Sequence, residues 1–127
     1  MPPPVQPSAL VVDDDDSIRL STAMLLSVMG VVPELAGSGH AALQLMRDRH
    51  YDLAIVDLSL PDIEGSDLIQ KLHAIAPDML IVIMSGDNHR INRVRHLADH
   101  CVEKPMSAHA LRSAIDRLLV AQEEVFL

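Results

Sequence analysis

Four short apolar segments of this chain each lead into polar side chains that could take part in ion binding or catalysis. These side chains are Asp13-Asp14, Asp57, Ser85 and Lys104-Pro105, in that order. If the segments are parallel strands, their carboxyl ends meet at one edge of a sheet, where ligands bind. Carboxylate oxygens suit a hard divalent cation such as Mg²⁺. Together with an ammonium and a hydroxyl, they are the components of a magnesium-dependent site for phosphoryl transfer.

The acidic run from Asp13 to Asp16 also has an ordinary structural explanation. Asp15 and Asp16 are suited to cap the helix that follows, where negative charge is favourable. Asp13 and Asp14 still belong to the end of the strand, and two adjacent carboxylates repel each other unless a cation relieves the repulsion. A calcium loop of the EF-hand type fits poorly, because its glycine and distal glutamate are missing at the required spacing.

Asp57 follows the clearest central strand of the sequence, Leu53-Ala54-Ile55-Val56. Capping explains it poorly, since the next predicted helix starts several residues later, beyond Pro61. As a nucleophile, Asp57 would attack a phosphoryl donor and hold an acyl phosphate.

Ser85 and Lys104 taken singly would be an ordinary loop serine and an ordinary surface lysine. Lys104 precedes Pro105, and a bond before proline can be cis and fix a loop that aims a side chain. Gly86, next to Ser85, leaves room for a bulky donor to approach.

Five repeats of strand and helix are predicted along the chain. The strands cover residues 9–12, 31–35, 53–56, 79–84 and 101–102. Helices are expected over residues 17–29, 41–49 and 91–97. A further helix, the third in the chain, carries the apolar residues Leu68, Ile69, Leu72 and Ile75 on one face, and the last helix is capped by Ser107. The inward positions are Ile18, Leu25 and Met29 in the first helix and Leu111, Ile115, Leu118 and Leu119 in the last. This alternation predicts an α/β fold, with a parallel sheet covered by helices on both faces.

Composition limits the protein to a few classes. A chain of 127 residues forms one domain, expected over residues 8–122 between a Pro-rich arm (1–7) and a short tail (123–127). With 49% hydrophobic but only 2% aromatic residues, its core must be aliphatic. A net charge of −8 without a basic cluster argues against direct nucleic-acid binding.

Localisation is predicted to be cytoplasmic. The single Cys101 cannot form an internal disulfide, which fits a reducing compartment. The sequence opens with no secretory signal and contains no apolar run near the ~20 residues that a membrane helix needs.

Over about residues 8 to 122, the chain resembles the receiver domain of two-component response regulators. The matching segments are Leu10-Val11-Val12-Asp13-Asp14, Tyr51-Asp52-Leu53-Ala54-Ile55-Val56-Asp57-Leu58-Ser59-Leu60-Pro61-Asp62-Ile63-Glu64-Gly65, Ile83-Met84-Ser85-Gly86 and Val102-Glu103-Lys104-Pro105. Each segment is a weak signal, but all four in order on a five-fold βα frame are specific. The resemblance implies a flavodoxin-like, doubly wound (βα)5 fold with strand order 2-1-3-4-5.

The same resemblance implies roles for individual residues. Asp57 would be phosphorylated by a histidine kinase or a histidine phosphotransfer protein, and Ser85 and Lys104 would contact the phosphoryl oxygens. The cofactor would be Mg²⁺, bound directly by Asp14, Asp57 and the Ser59 backbone carbonyl and mainly through water by Asp13.

Three features depart from the family pattern. Cys101 stands where an aromatic residue is usual, and the interval from Ser85 to Lys104 is a few residues short within the fourth helix. The small Gly-Ala pair that usually precedes the fifth strand is absent too. We therefore expect intact phosphorylation chemistry without an aromatic output switch, and only weak dimerisation through the fourth and fifth helices. Contacts with the phosphotransfer partner are expected at Ile18, Ser21, Pro105 and Met106.

Two other functional hypotheses remain at this stage. Asp13-Asp14-Asp15-Asp16-Ser17 superficially fits a haloacid-dehalogenase-like phosphatase, but that class leaves Asp57 and Lys104 unexplained and needs room for a cap domain. A receiver that binds partners without phosphorylation would have lost an acidic or lysine position, and none is lost here. The chain is either a stand-alone receiver or a piece of a longer regulator or hybrid kinase that carries an effector domain.

Overall fold

Strands and helices alternate along the whole described chain, as the sequence predicts. The computed structural model describes residues 6–104 and 106–124, and side chains among them as far as residue 117. The strands are β1 (Ser8–Val12), β2 (Val32–Ala36), β3 (Leu53–Asp57), β4 (Leu80–Ser85) and β5 (His100–Glu103). The helices are α1 (Asp16–Val28), α2 (Gly39–Leu45), α3 (Gly65–Ile75), α4 (Asn88–Val94), which continues into a 3-10 turn (Arg95–Leu97), and α5 (Ala108–Glu124).

All strand pairs in the sheet are parallel, and the order is β2-β1-β3-β4-β5. The predicted fold class and strand order are therefore confirmed. The order reverses between β1 and β3, and the crevice at the carboxyl ends of such a pair is where doubly wound sheets bind ligands. Val12 pairs with Val56, so the residues that follow them, Asp13 and Asp57, are neighbours at this edge.

Alternate residues of the strands enter two separate aliphatic cores. Leu10, Val12, Ala54 and Val56 lie under the face covered by α2, α3 and α4, whereas their sequence neighbours pack beneath α1 and α5. Because both faces are covered, the three inner strands β1, β3 and β4 are largely continuous apolar runs, as expected for a buried parallel sheet. Along the described helices, none is long and apolar enough to cross a membrane.

The predicted helix caps at Asp15 and Ser107 are confirmed. The Asp15 carboxylate accepts a hydrogen bond from the Ile18 N–H at 3.1 Å and caps α1. Gly30 has a φ of 82°, a conformation that glycine adopts without steric cost, and it ends the turn after α1. The Ser107 hydroxyl accepts from the Ala110 N–H at 3.0 Å in the first turn of α5.

Some packing predictions were wrong in detail. Ile75 is 52% exposed, because it lies in the last turn of α3 and the neighbouring Ala76 packs against the core instead. In α1 the predicted inward residues are only half-buried, and the fully buried ones are Thr22, Ala23 and Leu26.

The predicted bounds of two helices were also wrong. The fourth helix begins at Asn88 rather than Ile91, because Asp87 caps it, and the second covers Gly39–Leu45 rather than 41–49. The predictions for residues 1–5, Pro105, and the side chains of Leu118 and Leu119 fall outside the described residues.

Helix α3 begins in close contact with the residue that follows Asp57. A Cβ atom placed on Gly65 would lie 2.7 Å from Leu58 Cδ2 and 3.0 Å from Leu58 Cα. Those separations are too short for carbon atoms, so only glycine allows α3 to start here without moving the loop that leads from Asp57.

We predict that Gly65→Ala destabilises the protein by ~1–3 kcal/mol, because overpacking forces neighbouring atoms to shift. Urea denaturation measures the change. The matched control is Gly86→Ala, since a Cβ on Gly86 meets no atom within 4 Å. Equal stability of the two variants would show that the loop after Asp57 shifts to accommodate the added Cβ atom at no cost in stability.

Candidate functional site

The predicted site residues lie together at the carboxyl edge of the sheet. Asp13 and Asp57 are buried, with 0% and 2% of their surface exposed, whereas the neighbouring Asp14 is exposed. Ser85 is also buried, at the end of β4, and Lys104 follows β5. Strand ends thus supply every one of these side chains, as a parallel sheet requires.

Lys104 connects the two buried carboxylates. Its Nζ lies 3.0 Å from Asp13 Oδ2 and 3.2 Å from Asp57 Oδ2. The backbone N–H of Lys104 donates to the Ser85 carbonyl at 2.9 Å, which places the residue at the end of the pairing between β4 and β5. A single ammonium therefore serves two carboxylates from different strands.

The electrostatics of the crevice keep Lys104 charged. Burial by itself would lower the pKa of the ammonium, but the hydrogen bond that it donates to Asp13 and the charge of Asp57 outweigh that effect. The pKa of Lys104 is consequently raised above its ordinary value, so the ammonium remains protonated at neutral pH.

Backbone hydrogen bonds orient the carboxylates further. Asp13 Oδ1 accepts from the Asp15 N–H at 2.9 Å, and Asp57 Oδ1 accepts from the Ser59 N–H at 3.1 Å. The guanidinium of Arg19 donates to the Asp13 backbone carbonyl at 2.8 Å. These contacts leave the side chains little freedom to turn away from the crevice.

Asp13, Asp14 and Asp57 form a cluster that fits a divalent cation. One carboxylate oxygen from each lies within 4.8 Å of the others. Three negative charges face the single positive charge of Lys104, so the cluster carries an excess negative charge. Hard oxygen donors with that excess charge suit Mg²⁺.

Ser85 and Gly86 lie on the β4 side of the crevice. The buried Ser85 Oγ accepts a hydrogen bond from the Asp87 N–H at 3.1 Å. The space where a Gly86 side chain would stand is open, with no atom within 4 Å.

Three of the four predicted partner contacts line one groove beside the crevice. Ile18 and Ser21 from α1 face Met106 across a groove of about 400 Å³, and Lys104 forms part of its wall. The fourth predicted contact, Pro105, is outside the described residues.

Sequence reasoning missed Asp87 and Arg90. The Asp87 carboxylate accepts from the N–H groups of His89 and Arg90 and caps α4, a role that an aspartate after Ser85-Gly86 could have suggested. Arg90 Nη1 donates to Ser59 Oγ at 2.9 Å. No sequence signal predicts that contact, because it joins α4 to the loop after β3, which only the tertiary fold brings together.

Comparison with known proteins identifies the family. The family model for the response regulator receiver domain matches residues 9–116, nearly the whole described chain. The chain therefore belongs to the response regulator receiver domain family, and the predicted resemblance is confirmed.

Individual relatives agree with this assignment. The autoinducer 1 sensor kinase/phosphatase LuxN of Vibrio campbellii is 30% identical over 89% of this chain, which spans 14% of that relative. The transcriptional regulatory protein AfsQ1 of Streptomyces coelicolor is 31% identical over 89% of this chain, which spans 51% of its length. A CheY-like receiver domain from Methanospirillum hungatei has a TM-score of 0.88 at 29% identity, covering 94% of this chain and 98% of its own.

These findings establish a receiver domain of two-component signal transduction. Receiver domains are phosphoacceptors that bind Mg²⁺ at an acidic pocket and interact with histidine kinases or phosphotransfer proteins. The hypothesis of a haloacid-dehalogenase-like phosphatase is not supported, since the family match explains the order of all the site segments.

Proposed function

We propose that Asp57 of this chain accepts a phosphoryl group from the phosphohistidine of a kinase or phosphotransfer protein. The main support is the Lys104 ammonium, which lies between Asp57 and Asp13 at the carboxyl end of the central strand. A carboxylate is a nucleophile for phosphoryl transfer when nearby cations offset the charge of the donor.

The transfer forms one bond to phosphorus and breaks another. A carboxylate oxygen of Asp57 forms a bond to phosphorus while the phosphorus–nitrogen bond of the phosphohistidine breaks, and the released imidazole takes up a proton. Lys104 neutralises negative charge on the phosphoryl oxygens. The Ser85 hydroxyl, which accepts a hydrogen bond from the Asp87 N–H, keeps its own proton to donate to a phosphoryl oxygen.

A magnesium ion would be held directly by Asp14, Asp57 and the Ser59 carbonyl, and through water by Asp13. When bound, it would supply positive charge that offsets the negative charge of the carboxylates and of the phosphoryl oxygens. The exposed carboxylate of Asp14 suits direct binding.

The phosphohistidine-bearing partner would lie on α1 and the segment after Lys104. Besides the groove that Ile18, Ser21 and Met106 line, α1 carries a stripe of exposed apolar side chains four residues apart: Leu20, Met24 and Val28. An exposed apolar face on a helix that begins three residues after Asp13 suits a helix of a partner. We include Pro105 in this surface because it adjoins Lys104 and Met106 in sequence.

Output from this receiver would not use a rotating aromatic ring. Cys101 stands at the switch position, is half-buried, and packs against the core beneath α2, α3 and α4. A thiol is too small to alternate between a filled pocket and an exposed position as tyrosine does. The signal would therefore pass through the loops at the crevice.

Incubation with acetyl phosphate and Mg²⁺ tests the phosphoacceptor. We expect one phosphoryl group per chain, mapped to Asp57 by mass spectrometry and absent from Asp57→Ala. Asp48→Ala, which changes an exposed aspartate outside the cluster, should be labelled like the parent. Labelling that survives in Asp57→Ala would exclude this assignment, and label on Asp13 would restore the phosphatase hypothesis. An unlabelled parent would instead indicate a receiver that works without phosphorylation.

Magnesium binding provides a separate prediction for Asp14. Asp14→Asn removes one negative ligand from the cluster, and we expect Mg²⁺ affinity to fall by about tenfold or more, measured by calorimetry. Asp48→Asn is the matched control. An unchanged affinity in Asp14→Asn would mean that Asp14 is not a ligand.

The partner surface is tested by Ile18→Glu with the cognate phosphorylated histidine kinase as donor. We expect transfer to slow by about tenfold, because a charge in the apolar groove opposes docking, while acetyl phosphate still labels the variant. Ile75→Glu is the control, since it makes the same change at an exposed isoleucine at the end of α3, outside the groove. Equal transfer rates in the two variants would place the partner elsewhere.

A further inference from the structure

Arg90 reaches from α4 to the loop that carries the phosphoacceptor. Its Nη1 donates to Ser59 Oγ at 2.9 Å across 31 positions of sequence. The N–H of that same Ser59 donates to Asp57 Oδ1 at 3.1 Å. The guanidinium is thus joined to the Asp57 carboxylate through a single residue.

The backbone around Arg90 is attached to the opposite side of the crevice. The Asp87 carboxylate accepts from the Arg90 N–H at 3.3 Å, and the Asp87 N–H donates to the buried Ser85 Oγ at 3.1 Å. The first turn of α4 is therefore held at the crevice from β4, while the Arg90 side chain contacts the loop after β3. Arg90 is thus attached through its backbone to the β4 side of the crevice and through its side chain to the loop after β3.

In the part of the chain that the structure describes, the Asp87 carboxylate accepts from the backbone N–H of Arg90 and not from its guanidinium. Among the residues that the structure describes, Arg90 forms no ion pair, and its side-chain hydrogen bond goes to a neutral hydroxyl. A guanidinium presents five donors in a planar fork and binds phosphate oxygens more strongly than neutral acceptors. A phosphoryl group on Asp57 would bring such oxygens next to Ser59.

We propose that Arg90 is a phosphoryl-binding residue that exchanges the Ser59 hydroxyl for a phosphoryl oxygen when Asp57 is modified. This inference rests on the proposed phosphorylation of Asp57 and adds a ligand that the sequence motifs do not contain. Arg90 would also cover the open side of the phosphoryl group. In hydrolysis, water attacks phosphorus and the bond to the Asp57 oxygen breaks, releasing inorganic phosphate, so the covering side chain would slow this loss.

Beryllofluoride, which mimics the phosphoryl group on a carboxylate, tests the inference without turnover. The full chain with Mg²⁺ is titrated and bound fluoride is followed by ¹⁹F NMR. We expect Arg90→Ala to weaken binding about tenfold and Arg90→Lys to weaken it less, because lysine keeps the charge but loses the fork. Arg93→Ala is the matched control: it removes an equal charge from an exposed position one turn further along the same helix and should leave binding unchanged.

Ser59→Ala separates phosphoryl binding from a merely structural role. If Arg90 only braces the loop through Ser59, then Ser59→Ala should weaken binding as much as Arg90→Ala. If Arg90 binds the phosphoryl group, then Ser59→Ala frees the guanidinium, and binding should be as tight as in the parent or tighter. The lifetime of phosphorylated Asp57 should follow the same order, shortest in Arg90→Ala.

The outcomes are distinguishable. If Arg90→Ala binds beryllofluoride as tightly as the parent, this inference is wrong and the proposed function still stands. The same holds if Ser59→Ala binds beryllofluoride as weakly as Arg90→Ala does. A parent that neither binds beryllofluoride nor is labelled on Asp57 would overturn the proposed function and this inference together.

Discussion

The contact of the Lys104 ammonium with the two buried carboxylates is the interaction on which the site depends. Withdrawing Asp13 and Asp57 from water is costly, and a buried charge without a partner is strongly destabilising. Lys104 offsets this cost at 3.0 Å and 3.2 Å, and its hydrogen bonds keep the carboxylates facing one another. Because Asp14 adds a third negative charge that no lysine neutralises, the same arrangement that holds the strand ends together also makes a cation site.

The convergence of these residues could be predicted from sequence because it follows from the fold class. Continuous apolar runs marked the buried strands, and parallel strands necessarily deliver their final residues to one edge. The order of Asp13, Asp57, Ser85 and Lys104 along the chain was therefore enough to bring them together. The chemical role of each remains a prediction, because proximity alone does not distinguish a nucleophile from a ligand.

Other features depend on distances that no local pattern encodes. The exposure of Ile75 depends on where α3 ends relative to the core, and the beginning of α4 depends on the cap that Asp87 provides. The hydrogen bond between Arg90 and Ser59 arises because a short fourth helix starts close to the crevice. An arginine in a polar helix is otherwise indistinguishable by sequence from a solvated surface charge.

The position of Lys104 also has a consequence for the edge of the sheet. β5 is a short outer strand whose pairing with β4 ends where the Lys104 N–H meets the Ser85 carbonyl. A slip of one residue along β4 would move Lys104 by ~3.3 Å and turn its side chain to the opposite face. Both ionic contacts would then be lost, so Lys104 stabilises the observed pairing register of β5 with β4. The residue that serves the chemistry thereby protects an outer strand from mispairing, the usual weakness of open sheets.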